Sequence, residues 1–189
     1  MRIVPFLITT AISTALVITL NTRLTIGGNE APAFGSFLSP QHGFWQNAEA
    51  VSESYTADLK FSQLNGKVDV YLDDRLVPHI FAEQENDAYF VQGFLHSKFR
   101  LWQMEFQAYA AAGRLSEILG NKDERILNFD RNMRRLGMVY AAEIALQQMD
   151  NDPVIKSQCD AYTAGVNAYI ETLTESTVPL EYKLIGYKP

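Results

Sequence analysis

The chain has 189 residues, 47% hydrophobic and 20% charged, enough for one ordinary globular core, or for a piece of a larger one, and unlike a disordered or fibrous composition. Sixteen Lys and Arg against 22 Asp and Glu leave a net charge of -6, which argues against a phosphate-coating or nucleic-acid-binding role. The single cysteine, Cys159, has no internal disulfide partner, and His42, His79 and His96 are too scattered for a metal-ligand spacing, so neither redox chemistry nor zinc is indicated.

In chain order, the first element is the run Ile3 to Leu20, IVPFLITTAISTALVITL, which lies between Arg2 and Arg23 without a charge. As a helix it would span roughly 27 Å, close to a hydrocarbon core of about 30 Å. Four threonines, Pro5 and the absence of a polar face argue against a buried core helix. Asn21, Thr22 and Arg23 follow where a cleaved signal peptide would place small residues, so an uncleaved signal anchor is favoured. Cleavage at the later Ala31-Pro32-Ala33 is the alternative. Residues 1–28 are therefore expected to serve export, with membrane contact through residues 3–20 and the body facing the periplasm. Beyond residue 28, 14 basic side chains remain against 22 acidic ones, a net charge of -8.

Residues 29–56 mix prolines and glycines without sustained periodicity and read as a connector. Phe34, Phe37, Phe44 and Trp45 make it too aromatic for a free linker, and it is expected to dock on the body. The next segment, Ala57 to Leu64, alternates moderately, with Asn65-Gly66 as a hairpin signal before the alternating strand Lys67 to Leu72. Asp73-Asp74-Arg75 forms a second turn ahead of Val77 to Ala82, which completes a small antiparallel fragment. His79 follows Pro78 with no serine, cysteine or acid at a triad-like spacing and is expected to be structural.

From Asn86 the pattern becomes helical as far as Phe106. Val91, Leu95, Phe99, Trp102 and Phe106 form one apolar arc, Phe90, Phe94, Leu101 and Met104 an adjacent one, and Gln92, His96, Arg100, Gln103 and Gln107 the polar remainder. Two buried faces are expected. Lys98 and Glu105 fall within the apolar arcs, where each would need a partner, and Glu105 is read as half of a buried pair in preference to a general acid or base. Met133, Leu136, Tyr140 and Ile144 predict one helical face, and Ile155, Cys159, Tyr162, Val166 and Tyr169 another, opened by Asp152-Pro153. Cys159 is then a small core residue. Arg131, Arg134 and Arg135 form a basic cluster expected to pair with nearby acids.

Several of these segments share an order with a known family. Val77-Pro78-His79-Ile80-Phe81-Ala82, Asp87-Ala88-Tyr89-Phe90-Val91-Gln92-Gly93-Phe94, Arg100-Leu101-Trp102-Gln103-Met104-Glu105 and Ala112-Gly113-Arg114-Leu115-Ser116-Glu117-Ile118-Leu119-Gly120 are followed by Phe129-Asp130-Arg131-Asn132-Met133-Arg134-Arg135 and by Ala161 to Ile170. Together they resemble the N-terminal region of the penicillin acylase (penicillin amidase) family, over about Gly66 to Pro189. Lys98-Phe99 replaces the family's usual Gln-Asp before the central arginine, and Ala108-Tyr109 stands where paired arginines often follow.

The resemblance implies an α+β chain that is part of an α/β/β/α N-terminal nucleophile hydrolase sandwich, mostly helical here with a short antiparallel strand pair. It also implies hydrolysis of linear amides, with a serine at the start of a β chain as nucleophile and its own α-amine as base. That serine, the substrate-contact segment and the ligands of a structural calcium would all lie beyond the Gly186-Tyr187-Lys188-Pro189 element. No catalytic, substrate-binding or metal residue is therefore assigned in this chain, and no cofactor. Gly35-Ser36 has the form of an autoprocessing junction but precedes the family-like region. The expected partners are the remaining α-chain and β-chain segments of one precursor, a small amide substrate and a membrane, with no nucleic acid. Domain boundaries are expected at 1–28, 29–56 and 57–189, the last an incomplete α-chain domain. The alternative is a non-catalytic, membrane-anchored helical binding or relic module.

Overall fold

The computed structural model describes residues 3–26, 29–48, 54–120 and 123–189; Arg2, the 28/29 boundary residue Gly28 and connector residues 49–53 lie outside them. In chain order the elements are α1 (Ile3–Asn21), β1 (Leu24–Ile26), β2 (Asn29–Ala31), α2 (Phe34–Phe37), a 3-10 turn (Phe44–Asn47), β3 (Val68–Leu72), β4 (Pro78–Ala82), α3 (Glu85–Ala112), α4 (Leu115–Leu119), α5 (Glu124–Arg135), α6 (Met138–Asp150), α7 (Pro153–Glu171) and α8 (Leu180–Ile185). The described chain is mostly helical, with short antiparallel strand pairs. It forms two compact units, residues 1–51 with 174–188 and residues 52–173 with 189.

In the first unit, α1 is the expected apolar helix, with a mean hydropathy of 2.2 and no buried residue. The Thr9 hydroxyl donates to the Pro5 and Phe6 carbonyls at 3.1 and 2.9 Å, the Asn21 amide donates to the Val17 carbonyl at 2.9 Å, and the Thr22 hydroxyl just beyond the helix donates to the Ile18 carbonyl at 2.6 Å. β1 and β2 pair antiparallel with Thr25 opposite Glu30, a pairing that no alternation in the sequence announces. The aromatic connector docks, as its composition suggested, on a segment from the far end of the chain. The Asn47 amide donates to the Ser176 and Val178 carbonyls at 3.0 and 2.8 Å, and the Lys183 ammonium donates to the Gly43 carbonyl at 2.9 Å. Phe44 stacks between Phe37 and Trp45, at 5.3 and 4.3 Å between ring centroids.

The second unit is organised by α3 and α7. Asp152 caps α7 by accepting from the Val154 and Ile155 N–H groups, with Pro153 in the first turn, as expected. The two helices cross at paired glycines. A Cβ on Gly93 would collide with the Tyr162 carbonyl, and one on Gly165 with the Phe90 carbonyl, so only glycine permits this backbone approach. Around the crossing, Phe94 meets Tyr169 edge-on at 5.5 Å, and Phe61 covers Phe90 and Phe94 at 5.3 and 5.0 Å. Phe90, Val91, Phe94, Leu101, Ala168 and Tyr169 are buried there.

Three expectations change. Ala57 to Leu64 is not a strand: the hairpin is β3 with β4, Val70 opposite Ile80, closed by Asp73, whose carboxylate accepts from the Arg75 and Val77 N–H groups at 2.9 and 2.8 Å. The Asn65-Gly66 N–H groups turn to Asp87 instead. In α3 only one face is well buried. The backbone leaves helical geometry at Arg100 (φ -147°, ψ 23°), so a helical phase carried from Val91 to Phe106 does not hold across it. Phe99 is exposed, and Lys98 lies in solvent with its ammonium 5.8 and 5.9 Å from the Tyr55 and Phe99 ring centres, where cation–π attraction replaces the buried partner expected for it. Finally, the face predicted through Met133, Leu136, Tyr140 and Ile144 is interrupted at Gly137 (φ 71°) between α5 and α6, and Leu136 and Tyr140 are exposed.

Candidate functional site

Two buried aspartates gather the family-like segments of the second unit. Asp87, in the first turn of α3, is 1% exposed. Its carboxylate accepts from the Asn65 N–H at 3.0 Å and the Gly66 N–H at 2.7 Å, with the Asn65 side-chain amide at 3.4 Å, which fixes the segment leading into β3 against α3. A buried acid held only by N–H donors keeps its charge satisfied without a cation beside it.

Asp130 of α5 does the same for the N-terminus of α4. It accepts from the Leu115 N–H (2.9 Å), the Ser116 N–H (2.8 Å) and the Ser116 hydroxyl (2.6 Å). Burial pushes its carboxyl up, but the Ser116 hydroxyl, the two N–H groups and the Arg134 charge outweigh this and hold it below the usual aspartate value. One turn along α5, the Arg134 Nε donates to the Gly113 carbonyl at 2.8 Å. Gly113 has φ 65°, and a Cβ there would strike the Asp130 carbonyl. Arg114 grips Glu117 with two hydrogen bonds of 2.9 and 2.7 Å and lies 4.7 Å over the Tyr109 ring. The Gly113 to Glu117 and Asp130 to Arg134 segments, separate in sequence, form one corner.

Where α3 and α7 begin, a shallow groove of about 440 Å³ is lined by Asn65, Gln84, Glu85, Asn86, Ser157 and Gln158 among others. The Asn86 amide donates to the Ser157 hydroxyl at 2.7 Å, and the Gln158 amide to Glu85 at 2.9 Å. These bonds join the two helices, and no base is positioned to activate the Ser157 hydroxyl through them. In this groove the geometry orients and holds elements.

The residues weighed in the sequence are spread over the structure. His79 on β4 is exposed, with its ring 4.0 Å from the Asp73 carboxylate; Ser36 is exposed in α2; Cys159 is half-buried in α7; Glu105 is half-buried in α3. Of the basic cluster, Arg134 approaches Glu117 at 4.0 Å, the expected pairing with an acid, whereas Arg131 donates to the neutral Asn128 amide oxygen at 3.1 Å. Among the described residues, no group of three or more His, Cys, Asp or Glu gathers as a metal site. Asp87, Asp130, Gly93 and Gly165 carry the architecture, although none stood out in the sequence as more than a letter of a motif.

The segments bound by the two aspartates and the glycine crossing span the stretch matched by a model of one family, penicillin amidase, over residues 67–189. The chain belongs to the penicillin amidase family. It is 34% identical over 141 residues to a penicillin acylase 2 proenzyme of Pseudomonas sp. (strain SE83), covering 75% of this chain and 17% of that protein. An acyl-homoserine lactone acylase, QuiP, of Pseudomonas aeruginosa is 35% identical over 113 residues, 60% of this chain and 13% of that one. A penicillin G acylase of Escherichia coli is 28% identical over 130 residues, 67% of this chain and 15% of that one. The chain thus spans between 13% and 17% of the length of these relatives. Among solved structures, a thermostable penicillin G acylase from Alcaligenes faecalis superposes with a TM-score of 0.58 at 23% identity, over 67% of this chain and 65% of that chain. The fold that the chain shares with that structure is that of an N-terminal nucleophile hydrolase.

Proposed function

We propose that this penicillin amidase family chain is the N-terminal part of an amidohydrolase that releases an acyl group from a linear amide. The observation that carries this is the family match over residues 67–189 in a chain spanning at most 17% of the first relatives' length. In such an enzyme a serine on the β-chain part attacks the amide carbonyl, its own α-amine takes the proton, and N–H donors stabilise the oxyanion. In this reading those groups lie on the rest of the precursor. This chain's share is positioning: Asp87, Asp130 and the Gly93–Gly165 crossing hold a rigid helical layer against which the catalytic layers pack. The uncovered apolar side chains of α6, among them Val139, Tyr140 and Leu146, support this, because a self-sufficient module would bury more of them. The relatives' names suggest two acyl-amide substrate types, penicillins and acyl-homoserine lactones. Residues 3–20 anchor the protein in a membrane with the remainder in the periplasm.

The test expresses the gene together with its downstream coding sequence, sequences the N-termini of the products and assays a panel of chromogenic N-acyl amides alongside acyl-homoserine lactones. Two polypeptides, the second beginning with serine, and acyl release that this chain alone does not give are the expected result. An unprocessed, inactive product, together with cooperative unfolding of residues 57–189 on their own, would favour a non-catalytic module.

A further inference from the structure

The connector that follows α1 has an unusual make-up. From Leu24 to Ala48 the only charged side chain is Glu30, whereas the chain as a whole is 20% charged. The same stretch leaves large apolar groups uncovered: Leu24 is 39% exposed, Leu38 42% and Trp45 57%. Nor is this a free tail, since Asn47 and Gly43 are bonded to residues 176–183 of the same unit.

Its position is tied to the end of the apolar helix. α2 sits on the last turn of α1, where the missing side chain of Gly35 makes room for the Asn21 amide. A helix of 19 residues is about 28 Å long, close to the thickness of a hydrocarbon core, so a spanning α1 places Asn21 at its boundary. The Asn21 and Thr22 side chains bond back to the Val17 and Ile18 carbonyls in the last turn of α1, where its apolar run gives way to polar residues. Whatever is seated on that turn lies in the layer between hydrocarbon and water, the layer in which Trp and other amphipathic rings concentrate.

We infer that the connector segment 34–45 is a membrane-interface module, in which Phe34, Leu38 and Trp45 insert among the lipid headgroups and seat the periplasmic body on the bilayer. Near-absence of charge fits this occupant: a protein surface would offer partners for charged rims, whereas the interface favours neutral and aromatic groups. The inference rests on the anchor reading of α1, and the two fail separately.

The full chain carrying Trp102→Phe, which leaves Trp45 as the sole tryptophan, is inserted into phosphatidylethanolamine–phosphatidylglycerol vesicles whose acyl chains are brominated either near the headgroup or near the bilayer centre. Trp45 emission is expected to be quenched more by the shallow bromines, by about twofold or more. A companion chain with Ile12→Trp, Trp45→Phe and Trp102→Phe reports on α1 and is expected to be quenched most by the deep bromines. Quenching of the companion without quenching of Trp45 overturns the inference and leaves the anchor standing. Absence of quenching in both overturns the anchor and, with it, the inference. A second measurement needs no substitution: hydroxyl-radical labelling of the unmodified chain in vesicles is expected to mark Trp45 several-fold less than Tyr71 and Tyr140, which are 64% and 69% exposed in the other unit. Labelling of Trp45 at their rate would overturn it.

Discussion

Asp130 shows how a single side chain can bind two separate stretches of sequence. Its carboxylate caps the Leu115 and Ser116 N–H groups 15 and 14 positions upstream, while Arg134 on the same helix holds the Gly113 carbonyl. Because its folded pKa lies below the ordinary value of 3.8, the ionised form stabilises the fold. That contribution is complete above the unfolded value and is lost as pH falls through the folded one. Replacing Asp130 with Ala is therefore expected to cost about 2–3 kcal/mol at pH 7 by stranding charge-assisted donors. Urea unfolding of the two chains should show the gap narrowing below about pH 4. A gap independent of pH would mean that the Asp130 charge is not what holds the corner. Asp87 is a parallel case: Asp87→Ala is expected to cost a similar amount, about 2–3 kcal/mol, and to speed hydrogen exchange at the Asn65 and Gly66 amides before that of the α3 core. In the sequence, Asp87 and Asp130 were visible only as letters of motifs. Both act on backbone far away along the chain, and no local periodicity encodes such a bond.

Among the elements, the α3–α7 crossing decides the packing. Gly93 and Gly165 each face a carbonyl of the opposite helix, so adding one methyl at either forces the axes apart. Gly93→Ala and Gly165→Ala are each expected to destabilise by about 2 kcal/mol or more. The double variant should cost less than the sum, since one displacement relieves both clashes. Additive losses in thermal or urea unfolding would show that the two sites do not share a crossing. How far these elements were legible follows from the range of the forces that make them. α1, the Asp152-Pro153 start of α7 and the β3–β4 pairing rest on local patterns and are present as read, although burial alternates along β4 and not along β3, where the adjacent Val70 and Tyr71 are both exposed. Asn65-Gly66 carries a good hairpin signal, but its N–H groups are claimed by Asp87, and Ala57 to Leu64 stays without a partner strand. Lys98 and Phe99 precede the Arg100 kink and are exposed because the buried face of α3 runs through Phe90, Phe94, Ser97 and Leu101 instead of the arc through Leu95 and Phe99; the kink breaks the helical phase only beyond it.

Across the whole molecule, apolar surface is left over. Leu136, Tyr140 and Leu146 are 64%, 69% and 57% exposed, although they lie on or beside a well-formed helix, α6, none of whose side chains is buried. Tyr71 and Phe81 pack edge to face at 5.8 Å on the β3–β4 hairpin and are likewise uncovered. A two-stranded hairpin and a helix without a buried face gain little stability by themselves, so both look to a further layer for their burial. If the α6 face receives the remaining part of an amidohydrolase precursor, Leu136→Glu with Tyr140→Glu should leave the unfolding free energy of this chain within about 0.5 kcal/mol of the parent. The same pair should reduce its self-association in sedimentation and lower the yield of processed, active enzyme when the downstream segment is expressed with it. Unchanged processing alongside reduced self-association would place the docking of that segment elsewhere, with the hairpin face of Tyr71 and Phe81, packed edge to face and 64% and 61% exposed, as the next candidate.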